Sequence, residues 1–213
     1  MSWGFKALDA MTEPSVTAFA TIDRDHPGLL RPTELRDYYA DAAALALPAS
    51  VPENVSDYFD AARMLWTYGW YYYPFYSLAA LHGTLCVELA LKERFQQEGE
   101  TISRRGSSLK SMLSQASQRH WIVPEGFSAI RRRKESEDYW GPIEADFEES
   151  ELAGTPNREE QAARLQAGMH RLLKTIRYFR NVRAHPKGLS LRLPGSAYTE
   201  LEFVRDLIAQ LFK

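Results

Sequence analysis

Residues 68 to 91, YGWYYYPFYSLAALHGTLCVELAL, most narrow what this chain can become. From Phe75 to about Phe95 the pattern is apolar on nearly every side of a helix. Such a helix belongs at the centre of a bundle or inside a bilayer. The run is long enough to span, but Pro74, His82 and Glu88 would be costly in lipid. Its five tyrosines suit an interior or an interface better. The expected place is therefore the middle of a soluble helical bundle, with no membrane partner.

The flanking segments carry helical periodicity too. Leu35, Tyr38, Tyr39, Ala42 and Ala46 recur at three and four within 33 to 47, ended by Pro48 and Pro52. Val55, Tyr58, Phe59, Ala62, Leu65, Trp66 and Gly69 mark a second helix, and Gly69 with Pro74 predicts a break before the central one. Leu109, Met112, Leu113 and Ala116 fall in register in a shorter helix over 108 to 118. Another is expected over about 158 to 184, with Leu165, Met169, Leu172, Ile176 and Phe179 on one face. The last is expected from Thr199 to Phe212, opened by TELE as a capping box with Thr199 as N-cap and Glu202 reaching back. No convincing alternating strand appears. The fold expected is all-α, a bundle of five or six helices with an N-terminal extension. Residues 1–50 form an arm and first helix, and 51–213 a helical domain with an acidic loop insertion near 134–156.

At 213 residues the chain can bury one good core, or at most form two small domains. Its single cysteine, Cys86, lies in an apolar run and reads as a buried structural thiol. MSWGFKALDAM lacks the long apolar region of a secretion signal, so the expected location is cytoplasmic. A net charge of −2 is unremarkable, but its distribution is not. From Gln161 to Thr199 there is no Asp or Glu, while Arg171, Lys174, Arg177, Arg183 and Lys187 lie within that window. Lys and Arg repeating along one helix can follow a line of phosphates, which makes RNA the expected partner. The plainer reading is a solvated helix face, although such faces normally mix signs.

Within that window stands RYFRNVRAHP, residues 177 to 186. Pro186 disfavours helical geometry at His185, so the helix should end just before the histidine. The imidazole can then fold back toward Arg180, which lies at the border of the apolar stripe. Arginine presents a planar fork for phosphate oxygens, and histidine exchanges protons near neutrality. Together they suit phosphodiester cleavage without metal. Residue types alone favour a simpler role, in which both cations complement the negative end of a helix.

RNVRAH also fits the R-x4–6-H signature of the HEPN superfamily (higher eukaryotes and prokaryotes nucleotide-binding domain), with the polar Asn181 straight after Arg180. The central helix resembles that of HEPN domains, with the E-x-x-L-K pattern in Glu88, Leu91 and Lys92. SLKSMLSQASQRHWI resembles the short helix that often follows. The resemblance covers roughly residues 54 to 213 without the acidic insertion. It implies a dimerising bundle in which two R-x4–6-H motifs meet in one cleft. It further implies a metal-independent endoribonuclease of antiviral defence or toxin–antitoxin systems, with a neutralising antitoxin or other protein as a possible partner. Arg180 would stabilise the phosphate, His185 would handle protons, and Asn181 would orient the arginine or substrate. Members that lack the motif serve as RNA-binding, nucleotide-binding or dimerisation modules.

Other features have weaker claims. The aromatic cluster from Trp66 to Tyr76 could stack bases, but core or dimer packing is favoured. Glu88 on an apolar helix needs a partner, an arginine for structural support or a place at the site. His82 reads as a core histidine. With one cysteine and no ligand spacing among the histidines, neither a metal nor a cofactor is expected. RRRK, residues 131 to 134, is explained well enough as a surface loop.

Overall fold

The break expected at Gly69 and Pro74 organises the molecule. The structure, a computed structural model, describes residues 13–14, 20–22, 30–100, 108–132 and 192–213. Helix α2, Glu53–Tyr68, ends at Gly69, and α3 begins at Phe75 directly after Pro74. A side chain at position 69 would overlap the Tyr76 ring, so the turn needs glycine for space. The described chain is an all-α bundle, built from α1 (Leu35–Ala44), α2, α3 (Phe75–Gln97), α4 (Leu109–Gln118) and α5 (Pro194–Leu211).

Helix α3 is the centre, packed against α2, α5 and α4. Val55, Phe59 and Ala62 of α2 meet Ala79, Cys86, Val87 and Ala90 of α3 in a core without solvent access. Leu201, Leu207 and Ile208 of α5 complete it. Each such large apolar side chain contributes about 1.5–3 kcal/mol by leaving water. Cys86 lies in this interior, its Sγ 3.4 Å from the Val55 carbonyl, and burial pushes the thiol up to about 12.

The expected N-terminal arm contains paired strands among its described residues. Two three-residue strands, β1 (Ala20–Ile22) and β2 (Leu30–Pro32), pair antiparallel with Thr21 opposite Arg31. Arg31 then grips Asp37 of α1 at 2.5 and 2.8 Å, while Asp37 also accepts the Glu34 amide at 2.8 Å. The guanidinium beside it holds the Asp37 carboxyl below the usual carboxylate range. Helix α1 packs on α2, with Tyr38 against Trp66 and Trp70.

Helix α5 starts five residues before the expected capping box. Pro194 occupies its first turn, where the missing amide hydrogen costs nothing and the fixed φ favours helix. Thr199 is thus inside the helix, its hydroxyl donating to the Gly195 carbonyl at 3.0 Å. Glu202 turns away to an arginine instead of reaching back. The start is fixed from within: Trp66 Nε1 donates to the Pro194 carbonyl at 3.0 Å in a buried bond.

Candidate functional site

Arg171, Lys174, Arg177, Arg180, Asn181, Arg183, His185 and Lys187 all lie outside the described residues. So do the expected helix over 158 to 184 and the acidic insertion near 134–156. The elements on either side are described: the short helix α4, the chain to residue 132, and α5 after residue 191.

Glu88 is described, and its partner is a lysine. Its carboxylate accepts from Lys92 Nζ at 2.9 Å, one helical turn along α3, and the side chain is 23% exposed. The half-buried acid is thus compensated within its own helix. His82 stacks face to face on Tyr58, ring centres 4.0 Å apart and planes 9° from parallel. Burial pulls its pKa down, partly offset by a hydrogen bond with the Tyr58 backbone. Trp66, Tyr73 and Tyr76 of the aromatic cluster are buried in the core, while Trp70, Tyr71, Tyr72 and Phe75 are half-buried. Tyr68 is the exposed member.

A cleft of about 550 Å³ opens between α1 and the first turn of α5. Asp37, Asp41, Tyr38, Trp66, Ser196 and Tyr198 are among its walls. Arg192, the last cation of the acid-free segment, pairs at 3.1 Å with Glu200, the first acid beyond it. Among the described residues no three His, Cys, Asp or Glu side chains gather as a metal ion would need. No helix of the described residues is long and apolar enough to cross a membrane.

One polar array on α5 was not foreseen. Glu202, Asp206 and Gln210 recur every four residues, so they share one face, and all three are buried. They hold residues 123–132, a strap containing a 3₁₀ turn at Pro124–Gly126 and a helical turn at 128–132. Gln210 Oε1 accepts the Val123 amide at 2.8 Å. Asp206 accepts the Ser128 amide at 2.6 Å and its hydroxyl at 3.2 Å. Glu202 takes both arms of Arg132, at 2.7 and 2.6 Å, which holds its carboxyl below the ordinary range. Phe127 stacks on Phe203 with ring centres 4.5 Å apart. Arg131 and Arg132, the described part of RRRK, therefore lie in a docked helical turn and not in a loop. Its signal was present as an acid–acid–amide repeat on α5, but such spacing also describes a solvated face.

No protein-family model matches this chain, and no curated protein or solved structure does either.

Proposed function

We propose that the chain is a metal-independent endoribonuclease of the HEPN type, cleaving RNA through a composite Arg180/His185 site at a homodimer interface. Defence against viruses or a toxin–antitoxin stress response is the setting, with a neutralising antitoxin as the regulating partner. One observation carries the reading: Arg180, Asn181 and His185 stand before Pro186 inside the acid-free cationic segment. Support comes from the chain around it, a helical bundle with an apolar central helix, a short helix after it and a closing helix after the motif.

In this mechanism the ribose 2′-hydroxyl attacks the adjacent phosphorus and loses its proton to one histidine. The bond to the 5′-oxygen breaks, and that oxygen takes up a proton. The products are a 2′,3′-cyclic phosphate and a 5′-hydroxyl. Arg180 stabilises the charge that gathers on the phosphoryl oxygens, and Asn181 orients it. Arg171, Lys174, Arg177, Arg183 and Lys187 hold neighbouring phosphates.

The test is RNA cleavage by the purified chain in the presence of EDTA. Arg180→Ala and His185→Ala should each lower the rate by about 10²–10⁴-fold, the range for lost proton transfer and charge stabilisation. Undiminished cleavage in both variants removes these residues from the site. A second reading is a non-catalytic RNA-binding, nucleotide-binding or dimerisation module, favoured by the acid-free segment, which attracts phosphate whether or not His185 acts. It predicts salt-sensitive RNA binding with no cleavage by any form of the chain.

A further inference from the structure

We infer that Arg131, on the strap docked to α5, is a phosphate contact for RNA, separate from the cationic segment that carries Arg180. The inference rests on the proposal that RNA is the partner. Its basis is an exception in the charge pairing. Every other described arginine is ion-paired with a carboxylate. Among the described residues Arg131 hydrogen-bonds neutral groups only, although its charge acts on nearby Glu202 and helps to lower that carboxyl's pKa. Its Nη1 donates to the carbonyls of Glu125 and Gly126 at 3.1 and 2.9 Å, and its Nη2 to the Ser128 hydroxyl at 2.8 Å. The residue is exposed.

Those bonds fix the guanidinium without cancelling its charge. They use three of the five N–H donors that an arginine owns, leaving Nε–H and one Nη2–H for a ligand. A planar fork held in place loses less freedom on meeting a phosphate than a free side chain does. Beside it Arg132 and Arg205 bond the carboxylates of Glu202 and Asp206, and RRRK continues in sequence as Arg133 and Lys134 before the acids Glu135, Glu137 and Asp138. Glu202 and Asp206 take their direct bonds from Arg132, Arg205 and the Ser128 amide, so Arg131 is the guanidinium of the three that makes no direct bond to a carboxylate. An unpaired, preorganised guanidinium on a docked turn suits a phosphodiester oxygen better than an apolar ligand.

The experiment measures binding of a fluorescein-labelled 2′-O-methyl oligouridine, which cannot be cleaved by 2′-hydroxyl attack, to the full chain across a salt series. For Arg131→Gln the slope of log K against log salt should fall by about 0.7, one phosphate contact on a single strand, and for Arg131→Glu by about twice that. Arg131→Lys keeps the charge but cannot span the same three acceptors, so it should keep the slope while sharing any loss of thermal stability. That contrast separates a charge contact from a cap on the turn. Salt-sensitive binding by the unmodified chain with the slope unchanged in both Arg131→Gln and Arg131→Glu overturns the inference and leaves the RNA reading intact. Tighter RNA binding by Arg131→Glu would also overturn it, by showing that Arg131 does not contact the bound strand. No binding by the unmodified chain removes the RNA reading and this contact with it.

Discussion

Helix α5 makes two seams that work on different principles. Toward α3 the contact is apolar and close. A Cβ added at Gly83 would lie 2.8 Å from Leu201, with Val204 just beyond. Toward the strap the contact is a row of directional bonds from Glu202, Asp206 and Gln210. Apolar burial is strong but indifferent to small slips, whereas a hydrogen-bonded row accepts one register. Sliding the strap by one residue would strand three buried acceptors at once, each costing about 1–3 kcal/mol. The first seam holds the bundle together, and the second fixes the register of the strap on α5.

The largest effect should come from breaking the apolar seam. Leu201→Ala removes a side chain with no solvent exposure and should cost about 2–5 kcal/mol in urea unfolding, depending on how far the gap closes. Next is the strap at its tightest point, because a side chain on Gly126 would overlap the Gln210 carboxamide. Gly126→Ala should cost about 1–3 kcal/mol, and pairing it with Gln210→Ala should show positive coupling in a double-mutant cycle. Additive losses would mean the strap shifts freely, and the contrast between the seams would dissolve.

The smallest effect is electrostatic. Arg132 is 57% exposed although Glu202 is only 11% exposed, so water screens the pair's outer half. Glu202→Gln should cost about 1 kcal/mol at neutral pH. The sign of its pH dependence follows from Arg132, whose hydrogen bonds lower the folded-state pKa of Glu202. That stabilisation is complete above the unfolded carboxyl pKa and is lost as pH falls through the lower folded value. Thermal melts through the acid range should therefore show a shallower decline in Glu202→Gln than in the unmodified chain.

Helices α2, α3 and α4 were legible because periodic apolar residues and two strong breakers, Gly69 and Pro74, point the same way. Ser108 even caps α4 through its hydroxyl, which accepts the Ser111 amide at 3.2 Å. The start of α5 was misread because two valid signals compete: TELE imitates a capping box, but Pro194 begins the helix sooner. Strands β1 and β2 are three residues each, too short for alternation to register. The strap depends on side chains about 80 residues apart in sequence, and no local pattern carries such pairings. Of the candidate site, Arg180, Asn181 and His185 were read wholly from residue types and their order. Among its members Glu88 alone is described, and its partner proved to be Lys92 rather than an arginine.

The buried Cys86 has a consequence for chemistry in solution. Its thiol is sealed between α2 and α3 and is raised to about 12, so scarcely any thiolate exists in the folded chain near neutrality. Alkylating reagents must wait for α3 to separate from α2. The chain's sole cysteine is thus an internal clock, and each covalent adduct records one opening of the bundle at its centre.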